Sequence, residues 1–195
     1  MKDFRSFAGR GPFTFVAAAL TLSSALIGSQ AGAAEGVFDE LRFGATTSIG
    51  NGSNQEDGVF PSATLFFDPL GAGSASGLVE KILRPRIHTG ASVATSSSGV
   101  NEIYAGLSWN ADITERVFIE LGAGGTVHDG DLNDDGSDGP KLGCRLLFRE
   151  YAAVGYRFDD HWNLSATVEH ASNANLCDGP NDGLTRAGLM LGYQF

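Results

Sequence analysis

The sequence lacks any apolar segment long enough to cross a membrane as a helix. Its longest apolar stretch runs from Phe13 to about Ile27 and falls short of the ~20 residues that a spanning helix needs. After that stretch, no long segment has apolar residues at helical spacing, and only 6 prolines stand against 27 glycines. This composition is typical of many short strands joined by turns.

Basic residues are also few. Lysine and arginine together number 13, against 23 aspartates and glutamates, and the formal net charge is −10. A protein that neutralises nucleic-acid phosphates needs a basic face, so this acidity argues against a nucleic-acid partner.

The chain has only two cysteines, Cys144 and Cys177, and their spacing matches neither a metal site nor a redox motif. In an oxidising compartment, two such thiols usually form a disulfide. Whether they meet in space depends on the topology.

The N-terminus has the features of a secretory signal peptide. Three basic residues precede the apolar stretch, and small residues with an Ala31-Gly32-Ala33 triplet follow it. We predict cleavage after Ala33, so that residues 1–33 are a signal peptide and residues 34–195 form one acidic domain.

Alternation of apolar and polar residues predicts the strands, because successive side chains of a strand point to opposite faces. The last segment is the clearest case: Leu189, Leu191, Tyr193 and Phe195 share one face, and small or polar residues occupy the other. Similar segments occur at Leu41–Ser48, Ala63–Pro69, Leu83–Ala94, Ile103–Asn110, Val117–Gly122, Cys144–Phe158 and Trp162–Glu169.

Eight strands of this kind predict an all-β protein, an eight-stranded antiparallel transmembrane β-barrel in the outer membrane. The terminal Phe195 also resembles the C-terminal signature by which outer-membrane proteins are recognised for assembly. In the alternative, a soluble lipocalin-like barrel or sandwich, the apolar faces would point inward. In that case the other face of each strand, where polar and charged residues alternate with glycine, would form the outer surface. Such faces are poor candidates for an outer surface.

The predicted topology places both cysteines at one rim. With both termini in the periplasm, the connections after the first, third, fifth and seventh strands are extracellular. The loop Asp129–Lys141 precedes Cys144, and the loop Asn173–Leu184 contains Cys177. A disulfide between them would join two outer loops.

The seventh strand continues past Val168 through His170 and Ser172, which by parity extend its lipid-facing row. Residues two apart on a strand have Cβ atoms ~7 Å apart, so imidazole and hydroxyl can approach each other. A histidine beside a serine is the base and nucleophile of an acyl-transfer site. The alternative is a histidine that serves only as an interfacial residue.

The segment His170-Ala171-Ser172-Asn173-Ala174, with Pro180-Asn181-Asp182-Gly183-Leu184 after it, resembles the C-terminal motif of PagL-type lipid A 3-O-deacylases. These are eight-stranded outer-membrane esterases, and the resemblance is specific over about residues 143–195. It implies that His170 is the base and Ser172 the nucleophile, and that Asn173 and Asn181 shape the oxyanion site. It also implies lipid A of lipopolysaccharide as the substrate, and neither a cofactor nor a metal.

The third catalytic residue departs from the family pattern. An acidic residue orients the histidine in that family, and Thr185 stands at the corresponding position here. Thr185 can hydrogen-bond to His170 but cannot supply a negative charge. We take Asp182 as the catalytic acid because it is nearest in the loop. Asp178 and Glu150 are the other candidates, and Glu169 ranks last because its parity points it into the lumen.

Two further clusters of charge have more than one interpretation. The segment Asp129–Gly136 matches the first half of a calcium loop, but Leu142 stands where the closing glutamate belongs, so a solvated acidic loop is expected. Lys81, Arg84 and Arg86 could contact lipid phosphates. Alternatively, their aliphatic stems could lie along apolar surface while the charged ends reach water.

These patterns together predict an outer-membrane ester hydrolase that removes an ester-linked acyl chain from lipid A. The alternatives are a non-catalytic barrel that stabilises the envelope or binds a partner, and a phospholipase-like esterase. The sequence leaves the oligomeric state, including a homodimer, open.

Overall fold

A computed structural model describes residues 37–195 apart from residues 135 and 137. The predicted signal peptide, residues 1–33, lies outside this part. The strands are β1 (Phe38–Ser48), β2 (Val59–Phe67), β3 (Arg86–Ser92), β4 (Glu102–Asp112), β5 (Val117–His128), β6 (Leu146–Arg157), β7 (Trp162–Ser172) and β8 (Leu184–Gln194). Each strand pairs with the next in antiparallel fashion, and β8 pairs with β1. The predicted eight-stranded antiparallel barrel is confirmed.

The two ends of the barrel differ in their connections. Short turns at 113–116 and 158–161 lie at the end of the barrel where β1 begins and β8 ends, and longer loops at 49–58, 93–101, 129–145 and 173–183 lie at the other end. Outer-membrane barrels have short turns on the periplasmic side and longer loops outside. We therefore refer to a periplasmic rim and an outer rim.

The connection between β2 and β3 is the exception among the periplasmic turns. It contains a 3-10 turn (Ala72–Ser74) and a short helix, α1 (Leu78–Leu83), and a second 3-10 turn (Gly52–Asn54) lies in the first outer loop. The predicted start of the third strand at Leu83 is wrong: Leu83 ends α1, and β3 begins at Arg86. Within residues 37–195 as described, no helix has the length and apolar character to cross a membrane.

The side-chain pattern of the strands is apolar outside and polar inside. On β7, Trp162, Leu164 and Val168 are exposed, whereas Asn163 and Ser165 between them are buried. Large exposed apolar side chains recur on β1, β4, β5, β6 and β8. A soluble barrel has the opposite arrangement, and a barrel in lipid requires this one.

The periplasmic half of the interior holds a network of paired charges. Arg42 contacts Glu40 at 2.7 Å and Glu120 at 2.8 Å, and Arg86 also pairs with both carboxylates. The hydroxyl of Tyr151 donates to Glu120 at 2.8 Å. Arg86 is therefore buried in the lumen, and the prediction that it reaches lipid phosphates or the interface is wrong.

The outer half of the interior has a second network. Arg186 of β8 is buried and contacts Glu56 at 2.7 Å, and it also pairs with Glu102. Arg149 pairs with Glu169, which confirms that Glu169 points into the lumen. The interior between the networks is filled, with a cavity of only about 30 Å³ beside His88. A cavity of this size has no room for a lipid acyl chain.

The two cysteines are joined. Cys144 and Cys177 form a disulfide with their Cα atoms 6.2 Å apart. The bond connects the loop before β6 to the loop before β8 at the outer rim, as the topology predicted. It holds together the two loops that lie above β7.

Candidate active site on the outer face of the barrel

His170 and Ser172 lie on the outward row of β7, near its outer end. Both side chains are half-buried, whereas Ala171 between them is buried on the luminal side. The row continues downward through the exposed Val168 into the lipid-facing surface. The pair therefore lies where the apolar barrel wall meets the outer loops.

Strand register sets the neighbours of the pair. Thr185 of β8 is opposite His170 on one side, and Glu150 of β6 is opposite His170 on the other. Phe148 of β6 is opposite Ser172. Directly opposed residues in an antiparallel pair have Cβ atoms about 4.5–5.5 Å apart, so these three side chains flank the site.

One hydrogen bond orients the imidazole. Nδ1 of His170 and Oγ1 of Thr185 are 2.9 Å apart. With Nδ1 used in this way, Nε2 is the nitrogen available to Ser172. Among the described residues, no hydrogen bond joins Ser172 to the ring, and catalytic hydrogen bonds often form only once substrate is bound.

The absence of a side chain at Gly183 leaves room for the imidazole of His170. A Cβ at this position would lie 3.0 Å from Cε1 of His170, and the φ of Gly183 is +73°. Both the space and the left-handed backbone favour glycine here. In the sequence, Gly183 is recognisable only as part of a motif; its contact with the ring depends on the register of β7 against β8.

Asn173 and Asn181 shape the loop that follows the serine. The buried amide of Asn173 donates to the carbonyls of Leu142 and Pro180 at 2.9 and 3.1 Å. Asn181 accepts from the backbone N–H of Asn173 at 2.9 Å. Both side chains thus make their hydrogen bonds to the loops around the site.

The backbone turns sharply directly after the pair. Ala174 and Asn175 have φ values of 51° and 57°, which are left-handed and uncommon for residues other than glycine. The N–H of Asn175 donates to the side chain of Asn173 at 2.8 Å. The turn presents the Ala174 N–H, which makes no hydrogen bond within the described residues.

The carboxylate of Asp182, predicted as the catalytic acid, contacts the loop between β5 and β6. Its Oδ2 accepts from the Lys141 backbone N–H at 2.8 Å, and its own N–H donates to the Lys141 carbonyl at 3.0 Å. Asp178 is exposed in the loop. Of the carboxylates considered from the sequence, Glu150 is the one that strand register places beside His170.

The acidic loop after β5 does not form a cation site in the described part of the chain. No group of three or more His, Cys, Asp or Glu side chains there could hold a metal ion. Asp129 accepts from the backbone and side chain of Asn101 at 2.9 and 2.6 Å, and Asp131 contacts Lys141 at 3.1 Å. These carboxylates contact neighbouring loops.

Comparisons with known proteins identify the family and the fold. The model of the lipid A 3-O-deacylase (PagL) family matches residues 88–194. The fold is similar to that of the outer membrane enzyme PagL, with a TM-score of 0.56, 21% identity, and coverage of 80% of this chain and 97% of that chain.

A second similar structure is the N-terminal β-barrel domain of Pseudomonas aeruginosa OprF. Its TM-score is 0.55 and its identity 10%, with coverage of 82% of this chain and 98% of that chain. At these identities the two structures establish the fold alone. A search of curated proteins found no match. Since the family match spans more than half of the sequence, this chain is an outer-membrane β-barrel that belongs to the PagL family of lipid A 3-O-deacylases.

Proposed function

We propose that this protein is a serine esterase that removes the 3-O-linked acyl chain of lipid A in the outer leaflet. The observation that carries the proposal is the outward-facing pair on β7, in which Thr185 holds His170 by its Nδ1 and Ser172 lies two residues away. The filled interior supports it, because substrate must then reach the site laterally from the membrane.

The surroundings of Ser172 suit an amphipathic lipid. Phe148 beside it is exposed on the lipid-facing row of β6, as is Leu146 above it, and Leu176 is exposed in the adjoining loop. An acyl chain lying along these side chains would bring its ester carbonyl to the boundary between apolar wall and polar loops. His170 and Ser172 occupy that boundary.

The reaction follows from the orientation of the ring. With Nδ1–H donated to Thr185, Nε2 of His170 takes the proton of Ser172 as its Oγ attacks the ester carbonyl. The bond to the sugar oxygen then breaks, and His170 returns the proton to that oxygen. In the second half of the cycle, His170 takes a proton from the water that attacks the acyl-serine; the bond from the acyl carbon to Oγ then breaks, His170 returns the proton to Oγ, and the fatty acid leaves.

The oxyanion of each tetrahedral intermediate needs donors that are already in place. The N–H of Asn173 is bonded to Asn181, whereas the N–H of Ala174 is open. The left-handed turn at Ala174 and Asn175 follows Ser172 directly in the chain, which keeps this group close to the nucleophile. Ala174 N–H is therefore the donor that we assign.

Thr185 accepts a hydrogen bond but carries no charge, so a nearby anion is needed to favour the imidazolium. Glu150 is opposite His170 on β6 and exposed on the lipid-facing side, and it has no ion pair among the described residues. A charge on the lipid-facing side is unfavourable and usually has a functional reason. We assign this electrostatic role to Glu150 in place of Asp182.

Mass spectrometry of lipid A tests the proposal. Cells expressing the wild type should lose one ester-linked chain, and cells expressing Ser172→Ala should keep it. Ser165→Ala is the matched control, because Ser165 lies on the same strand but is buried on the luminal side. It should act like the wild type.

Two results would contradict the proposal. Intact lipid A in wild-type cells would favour a non-catalytic barrel, and deacylation by Ser172→Ala would remove Ser172 as the nucleophile. Release of fatty acid from glycerophospholipids in the same extracts, with lipid A intact, would favour a phospholipase.

A further inference from the structure

The short helix α1 at the periplasmic rim has its apolar side turned outward. Leu78, Val79, Ile82 and Leu83 are 76%, 70%, 56% and 69% exposed. At 3.6 residues per turn, positions 78, 79, 82 and 83 share one side of the helix. These four side chains, hereafter the α1 apolar face, form a continuous apolar surface outside the barrel.

The polar side of α1 faces the barrel mouth. Glu80, Lys81 and Arg84 occupy the other side of the helix and are less exposed than the apolar face; Arg84 contacts Glu80 at 2.8 Å. Lys81 and Arg84 line a cleft of about 220 Å³ at the periplasmic mouth. A surface helix in water has the reverse arrangement, with its apolar stripe toward the protein.

The helix is attached to the barrel at the lower edge of the lipid-facing surface. Nε1–H of Trp109 on β4 donates to the carbonyl of Ile82 at 3.0 Å. The outward row of β4 continues from Trp109 to the exposed Leu107, and Ile87 is exposed opposite it on β3. The α1 apolar face therefore continues the surface that contacts lipid, next to a tryptophan at the level where such residues meet headgroups.

We propose that α1 is an interfacial helix that lies in the periplasmic leaflet of the outer membrane. Its apolar face contacts phospholipid acyl chains close to the headgroups, at a depth of about 5–10 Å. Lys81 and Arg84 remain in the aqueous phase at the periplasmic mouth of the barrel. The inverted arrangement of the helix and its continuity with the lipid-facing strands argue for lipid as the occupant. This placement does not depend on the proposed catalytic function.

Site-directed fluorescence tests this placement in the full chain with its disulfide intact, reconstituted in vesicles of phosphatidylethanolamine and phosphatidylglycerol. Val79→Cys and Leu83→Cys each add one free thiol for a polarity-sensitive dye. Lys81→Cys, on the opposite side of the same helix, is the matched control, and Ser74→Cys reports on the exposed connection before it. Two quenchers are compared: lipids with a nitroxide on the upper acyl chain, and iodide in the water.

The expected result is several-fold stronger nitroxide quenching at positions 79 and 83 than at 81 and 74, with the reverse order for iodide. Iodide quenching at 79 and 83 equal to that at 74 would overturn the proposal, because the helix would then lie in water. Protection from both quenchers would also overturn it, because protein rather than lipid would cover the face.

Discussion

The polar groups inside the barrel and those on its outer face differ in how they are paired. Inside, each of Arg42, Arg86 and Arg186 contacts at least two carboxylates. Outside, the side chain of His170 has one hydrogen bond, to Thr185, and the side chain of Ser172 has none among the described residues. Buried charges that are paired with several partners hold the barrel together, whereas polar side chains with unused hydrogen-bonding capacity at the lipid boundary are open to further contacts. Polar side chains thus stabilise the fold on one face of the sheet and, in the function proposed above, take part in chemistry on the other.

The largest effect is expected from a substitution in the interior, on the free energy of unfolding. Glu120→Ala removes a shared partner of Arg42, Arg86 and Tyr151, and breaking a buried ion pair by removing one partner destabilises by about 3–5 kcal/mol. Denaturant unfolding of the purified barrel in detergent should show this loss. Esterase activity per folded molecule should stay close to that of the wild type.

Ser172→Ala is the control for Glu120→Ala and should show the opposite pattern, with full stability and no activity. If Glu120→Ala left stability unchanged, the interior network would not have the structural role that we assign to it.

Glu150→Gln should have the next largest effect, and on activity alone. A charge on a directly opposed side chain contributes about 1–3 kcal/mol to the stability of an imidazolium at an intermediate dielectric, which is roughly a ten- to a hundredfold fall in kcat. Asp178→Asn and Asp182→Asn are the matched controls, each removing one carboxylate from the adjoining loop. A strong loss in folded Asp182→Asn with full activity in Glu150→Gln would instead support Asp182 as the acid.

Thr185→Val should have the smallest effect of the three. It removes one neutral hydrogen bond to His170, which contributes about 1 kcal/mol, and kcat should fall up to about tenfold. Thr185→Ser keeps the hydroxyl and should retain activity. Thr185→Glu restores the acid that the family pattern has at this position and should raise kcat. Equal kcat for all four proteins would mean that position 185 does not orient the ring.

The sequence predicts the barrel well because the membrane imposes a strict alternation, and each strand shows it locally. Parity then extends to His170 and Ser172, and the resulting topology places Cys144 and Cys177 at one rim. The start of the third strand was wrong because the apolar residues of α1, which end at Leu83, run directly into the strand. A short apolar run does not distinguish a turn of helix from a strand.

The partners of His170 were harder to predict than its position. Distance along the chain favoured Asp182, but the carboxylate of Asp182 binds the backbone of Lys141 in a different loop. The neighbours of the ring depend on the register of β7 against both β6 and β8, which places Glu150 and Thr185 on either side. Register of this kind arises from contacts between strands and cannot be read from one segment of sequence.

Covalent labelling tests most directly whether the outer face of β7 is the reactive one. A lipid-like fluorophosphonate, in which a serine oxygen displaces fluoride from phosphorus, should modify the wild-type barrel in detergent at Ser172. Peptide mass spectrometry should locate the adduct there, and Ser172→Ala and His170→Ala should stay unlabelled while Ser165→Ala labels like the wild type. An adduct elsewhere, or deacylation of lipid A by a barrel that never labels at Ser172, would contradict the account.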